Sequence, residues 1–219
     1  MKSITFAALL GLSAAKFRLG WCPDYQTQEN FDAEAYAGQW FQVYRDRHNW
    51  WTRGADCVTK EFELTEDGNL DFYFRGFYNW HGWGKYLGIG GELTDMELGS
   101  PDTFTGMATM HGKCHWSKHW GGKKTEFQVL ATDYENYDVS YYCKDFHGLF
   151  HFDTLDISSR KPEMAEEVQE EVRAVIEEKL PRYHLDRGMY WTKQGEDRCD
   201  YYWMSENNGE EPKWVNWWH

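Results

Sequence analysis

Five cysteines are the residues best equipped for chemistry in this chain of 219 residues: Cys22, Cys57, Cys114, Cys143 and Cys199. In an oxidising compartment they form two bridges and leave one thiol over, and spacing alone does not choose among the pairings. Cys114 lies in a run dense in donors, His111-Gly-Lys-Cys114-His115-Trp-Ser-Lys-His119. Three imidazoles and a thiolate can ligate zinc or haem. The spacing matches no particular metal site, so a hydrophilic loop with a spare thiol is the simpler reading and no metal is expected. An intermolecular disulfide through Cys114 is the more plausible use of that thiol.

The elements that must position these residues are mostly strands. Alternating or β-rich runs occur at residues 39–46, 57–64, 70–78, 84–93, 103–110, 126–132, 137–143 and 149–158, separated by short turns bearing Gly, Asp or Asn. Thr65-Glu-Asp-Gly68-Asn69 reads as a hairpin turn. Ahead of the first strand, residues 28–38 read as a loop or short 3₁₀ turn delivering Trp40 onto it. Eight meander strands close into a barrel just wide enough for a small ligand. The period then changes. Met164, Val168, Val172, Val175, Ile176 and Leu180 recur at three- and four-residue steps, predicting one amphipathic helix over 162–180 with Ser158 or Ser159 as its cap. A short strand is expected near 189–193.

The apolar run at residues 4–15, behind Lys2 and ending in Ser13-Ala14-Ala15, reads as a secretory signal. The expected organisation is therefore a signal peptide at 1–15, one all-β domain at 16–205 and a polar, Trp-rich tail at 206–219. Trp214, Trp217 and Trp218 in that tail pack on the barrel wall or form a partner surface. No Asn-x-Ser/Thr acceptor occurs. A net charge of −13 excludes nucleic acid as a partner, because phosphate binding needs clustered Lys and Arg. Aromatic residues make up 18% of the chain at a mean hydropathy of −0.80, so the apolar content sits in large rings with polar edges.

Three motifs occur in order along this frame: Gly38-x-Trp40 at the first strand, Thr132-Asp133-Tyr134 after the sixth, and Arg160 between the eighth strand and the helix. With Cys22-Pro23, Gln28-Glu-Asn-Phe-Asp32, Tyr36, Leu130-Ala131, Glu135-Asn-Tyr137 and Tyr141-x-Cys143, the chain resembles the lipocalin family, in particular its apolipoprotein D-like, bilin-binding and bacterial branch. The resemblance spans about residues 22–199 and is weakest at 79–124. It implies an eight-stranded up-and-down antiparallel barrel with one C-terminal helix packed on it. It also implies that Arg160 stacks on Trp40 at the closed end, that the Thr-Asp-Tyr turn braces that end, and that Cys22 pairs with Cys143 and Cys57 with Cys199.

Within that frame, strand parity collects Phe62, Leu70, Phe72, Phe74, Tyr78, Phe104, Phe127, Val129, Phe150 and Phe152 on one face, with Thr154 and Asp156 sharing it. These are the candidate ligand-binding residues, and the two polar members favour a ligand with polar groups over a bare hydrocarbon. The alternative is that the rings fill a collapsed barrel. The resulting expectation is a secreted carrier of a small hydrophobic molecule: a lipid, sterol, retinoid or tetrapyrrole. No cofactor is required, and a bound lipid or chromophore is compatible with the pocket. Two other readings remain. One is a structural or pigment-assembly protein, forming homo- or hetero-oligomers through the tail, the aromatic loops or Cys114. The other is a lipocalin-fold isomerase or de-epoxidase, which needs a thiol or acidic pair in the barrel; Cys57 is assigned to a bridge and Asp156 has no evident partner in sequence.

Overall fold

The computed structural model describes residues 17–47, 49, 52–80, 83–93, 108–110, 126–183, 185 and 188–210. Among the described residues, ten strands form one antiparallel sheet: β1 (Phe17–Leu19), β2 (Gly38–Asp46), β3 (Ala55–Leu64), β4 (Leu70–Trp80), β5 (Trp83–Leu93), β6 (Ala108–Met110), β7 (Glu126–Thr132), β8 (Tyr137–Phe146), β9 (Phe150–Ser159) and β10 (Met189–Trp191). Eight of them run in the order β6-β5-β4-β3-β2-β9-β8-β7, while β1 adds to β9 and β10 adds to β2. The sheet curls on itself. Phe62 of β3 stacks against Phe127 of β7, ring centroids 6.3 Å apart, although three strands separate them in the sheet order. The predicted hairpin turn is present, with Gly68 N–H donating to the Thr65 carbonyl at 3.0 Å.

The two faces bury different things. On the outside, Val43, Tyr44, Leu130, Ala131, Val139, Tyr141, Leu155 and Ile157 pack with Val172 and Ile176 of helix α2 (Glu166–Lys179). On the inside, Trp40, Phe62, Leu70, Phe72, Leu93, Phe127 and Val129 pack with Tyr36. Tyr36 ends α1 (Ala33–Tyr36), one helical turn capped by Asp32, whose carboxylate accepts from Ala35 N–H at 3.0 Å. This turn is α-helical where a loop or 3₁₀ turn was expected. One further expectation needs correction, the helix cap, and two other points differ in extent. β1 was not anticipated. Neither Ser158 nor Ser159 caps α2, because both are the last residues of β9 and the helix starts after Ala165 with no side-chain cap. Of the strand expected at 103–110, only Ala108–Met110 lies among the described residues.

One end of the curled sheet is sealed. The Trp40 indole is fully buried, and its N–H donates to the Tyr36 carbonyl at 2.9 Å. The Arg160 guanidinium lies 3.7 Å from the indole centroid and donates to the carbonyls of Tyr134 (3.0 Å), Gln39 (3.0 Å) and Ala35 (2.9 Å). Gly38 is glycine for two reasons: its φ is +99°, and a Cβ there would meet Arg160 Nη1 at 3.2 Å. The Thr132-Asp133-Tyr134 turn braces the same end. Asp133 Oδ1 accepts backbone N–H bonds from Glu135, Asn136 and Tyr137 at 3.1, 2.7 and 2.9 Å. Gln28 carries the N-terminal arm to this turn, its side chain accepting from Thr132 N–H at 3.1 Å.

Both cysteine pairs implied by the resemblance are bonded in the structure, Cys22–Cys143 and Cys57–Cys199, across sequence separations of 121 and 142 residues. Loops of this size stabilise by about 4–5 kcal/mol each in the chain-entropy description. Cys114, the His111–His119 run and the Trp214–Trp218 tail lie outside the described residues.

Two predictions follow from the sealed end. Trp40→Ala and Arg160→Ala should each destabilise the fold by about 3 kcal/mol or more, from the cavity in one case and from the lost cation–π contact and carbonyl partners in the other. Thermal melts should then show midpoints lower by on the order of 10 °C. Burial opposes the charge of Asp133, but its backbone and Asn136 partners outweigh it and hold the carboxyl below its ordinary value. A depressed carboxylate contributes stability that is fully present above about pH 4 and is lost as pH falls through the folded value. Asp133→Asn should therefore cost about 1 kcal/mol at neutral pH, with the gap to the parent closing below about pH 4 in denaturant titrations.

Candidate functional site

The inner face changes character from one end to the other. Near Trp40, Phe62, Phe72, Phe127 and Val129 are buried and belong to the packed floor. Towards the opposite end, Phe74, Tyr78, Tyr142, Phe150 and Phe152 share the inward register yet are only half-buried. Phe74 packs on Phe72 and Phe62, with centroids 4.7 and 5.8 Å away, and Tyr142 packs on Phe127 at 4.9 Å. The rings thus rise from a closed floor to an accessible upper wall. Phe150 and Phe152 stand nearest the rim, where Phe17 of β1 approaches them at 5.7 and 6.1 Å. Phe104 lies outside the described residues.

Between floor and rim sits a polar band that the sequence reading largely missed. Lys60 faces inward with Phe62 and Phe74, and its side chain is only 2% exposed. Its Nζ lies 3.6 Å from Asp156 Oδ2 and 3.9 Å from Asp138 Oδ2. Asp156, which showed no partner in sequence, thus has one, and Asn49 of the β2–β3 loop also donates to its Oδ1 at 2.7 Å. Ser140 donates to Asp138 Oδ2. Thr154 is buried on the same face, opposite Tyr142. Arg45 joins them from β2, paired in register with Asp156, its Nη2 donating to the Ala55 carbonyl at 3.1 Å.

Burial sets the ionisation of this band. It pushes the Asp138 carboxyl up, with Lys60 and the hydroxyls of Ser140 and Tyr36 opposing that rise. It raises the Tyr142 phenol well above its ordinary value, and the charges of Asp156 and Asp138 add to the effect. Tyr142 therefore keeps its proton and is a hydrogen-bond donor. Among the described residues no group of three His, Cys, Asp or Glu side chains is arranged to hold a metal ion. Cys57 is bonded to Cys199, so it offers no thiol to the interior.

Lys60 was legible in principle, because it sits two residues before Phe62 on a strand. Asp138, Ser140 and Tyr142 repeat the same two-residue step on β8. Arg45 was not. A bulge between Gln42 and Tyr44 shifts the register of β2, turning both Val43 and Tyr44 outward and Arg45 inward.

Residues 103–187 match the model of the lipocalin / cytosolic fatty-acid binding protein family. Apolipoprotein D of Bos taurus is 31% identical over 160 residues, covering 71% of this chain and 76% of that protein. The bilin-binding protein of Pieris brassicae is 28% identical over 143 residues, covering 64% of this chain and 67% of that protein. The structure of insecticyanin from the tobacco hornworm Manduca sexta superposes with a TM-score of 0.65 at 21% identity, covering 86% of this chain and 94% of that one. With its sealed Trp40 floor, its up-and-down sheet and these relatives, the chain belongs to the lipocalin family.

Proposed function

We propose that this protein is a secreted carrier that binds a small, largely hydrophobic molecule inside the barrel and performs no chemistry on it. The observation that carries this reading is the gradient along the inner face: buried rings against Trp40, half-buried rings above them. A collapsed barrel filled by its own side chains would bury both levels alike. Burial of an apolar ligand at about 25 cal/mol per Å² supplies the drive, and the polar band orients it. The ligand-facing set is Phe74, Tyr78, Tyr142, Phe150, Phe152, Thr154 and Asp156, with Phe62, Phe72, Phe127 and Val129 forming its base. A lipid, sterol, retinoid or tetrapyrrole suits these walls, and the bilin-binding relative supports a chromophore as one such occupant. Secretion is supported by two disulfides and by the apolar run at residues 4–15.

Native mass spectrometry and solvent extraction of the purified protein should recover a small hydrophobic molecule, and retinoids, lipids or bilins should quench its tryptophan fluorescence with saturation. Phe74→Asp places a charge on the upper wall. It should weaken binding at least about tenfold while lowering the thermal midpoint far less than Trp40→Ala does. Failure of every such ligand to bind would overturn the carrier reading.

A further inference from the structure

Among the described residues, four buried charges share the inner face: Arg45 and Lys60 against Asp138 and Asp156. The other buried charges point out of the barrel. Glu61 accepts from Met204 and Ser205 N–H, Asp153 pairs with Arg18 of β1, and Arg75 donates to the Asp200 carbonyl. Among the described residues, the buried cations of the inner face are therefore matched by buried carboxylates, with Arg160 also acting on Asp138 and Asp56 on Arg45. A ligand bearing a net charge would enter without a counter-ion, and an uncompensated charge in such surroundings costs several kcal/mol.

The hydrogen-bond inventory sharpens the point. Asn49 occupies Asp156 Oδ1, and Ser140 occupies Asp138 Oδ2. Left without a hydrogen bond of ordinary geometry are the donors Lys60 Nζ, Tyr142 OH and Thr154 Oγ1, and the acceptor Asp138 Oδ1, although the Tyr36 phenol lies close enough to act on that carboxylate from the floor. The Lys60 ammonium is at ion-pair distance from both carboxylates but beyond hydrogen-bond distance of either. Spare donors and a spare acceptor thus stand together. A protonated amine would serve only the acceptor and would sit beside Lys60; a carboxylate would serve only the donors and would sit beside two aspartates. A hydroxyl or amide serves both, because it donates and accepts at once.

We propose that the polar band made by Lys60, Asp138, Tyr142 and Thr154 is a head-group site for an uncharged donor–acceptor group, so that the preferred ligand is an apolar body ending in a hydroxyl or an amide (including a lactam). This rests on the carrier reading above and names the ligand class of that same interior. The head is held in the band, and the apolar body extends along Phe74, Phe150 and Phe152 towards the rim.

The test is a matched series on the full chain: tetradecanol, tetradecanamide, tetradecanoate and tetradecylammonium, titrated at neutral pH by tryptophan quenching and calorimetry. The alcohol and amide should bind about tenfold tighter than the acid and the amine. Tyr142→Phe keeps the ring on Phe127 and removes only the hydroxyl. It should weaken the alcohol and amide about three- to tenfold and leave the amine, which cannot accept a hydrogen bond, unchanged. Lys60→Met removes the cation shared by Asp138 and Asp156, so the amine should gain affinity as the alcohol loses it. Equal affinity across the four heads would mean that solvent satisfies the band, and it would overturn the proposal. So would tighter binding of the acid or the amine by the parent protein, or a Tyr142→Phe loss shared by all four probes. Binding by none of the four would instead bring down the carrier reading itself.

Discussion

A guanidinium resting on the Trp40 indole, with its N–H groups spent on carbonyls from α1, from β2 and from the β7–β8 turn, is the contact from which the interior takes its shape. α1 is a single turn whose Tyr36 carbonyl is taken by the Trp40 indole N–H, and its Ala35 carbonyl would otherwise end against the barrel without a partner. Arg160 satisfies it and presents a cation where a helix C-terminus is negative. One side chain thereby joins the contiguous α1–β2 segment to the distant β7–β8 turn and keeps water from the floor rings. Because this end is closed, a gradient from buried to accessible rings can exist above it. With both ends open, Phe62 and Phe127 would be wetted; with both closed, there would be no way in.

Much of this was legible from residue type and spacing, and the exceptions have physical causes. Two-residue alternation put Phe62, Phe72, Phe74, Phe127, Thr154 and Asp156 on one face, as the register of β3, β4, β7 and β9 has them. Alternation fails at bulges, where one strand carries an extra residue. The bulge in β7 turns Leu130 and Ala131 both outward under α2, as the one in β2 does with Val43 and Tyr44. No local pattern marks either position, because a bulge is defined by the hydrogen bonds of the neighbouring strand. Lys60 was passed over for a different reason. A lysine in a strand reads as solvent-facing until its partners are known, and those partners, Asp138 and Asp156, come from β8 and β9. The cap of α2 was misplaced because the serines that looked like a cap are consumed by β9.

The contrast between the two faces explains how a barrel tolerates charges inside. The outer cluster beneath α2 is dominated by apolar side chains, with Leu130, Val139, Leu155, Ile157, Val172 and Ile176 each at most 1% exposed. Packing there does not have to accommodate a guest, so it can be optimised for stability alone. The inner wall can then hold Lys60, Asp138 and Asp156, whose burial is costly and whose pairing only offsets that cost. Removing one partner would leave an uncompensated buried charge, so these residues act as a unit even though they contribute little to net stability.

The rim poses the opposite problem to the floor, since a seal there would block the ligand. It is braced from outside instead. β1 pairs with Phe150–Phe152 of β9, and β10 with Tyr44–Asp46 of β2, both on the half of the sheet away from Trp40. Each added strand comes with a covalent tie close by. Cys22, just after β1, bonds to Cys143 of β8; Cys199, after β10, bonds to Cys57 near the start of β3. At Cys57 the backbone φ is +54° and the β3 register slips, so β3 leaves β2 and the Lys193 carbonyl takes the Cys57 N–H at 2.8 Å. The two ends of the barrel are thus held by different physics. A stacked cation and its hydrogen bonds close the floor, and cross-links with extra strands brace the opposite end.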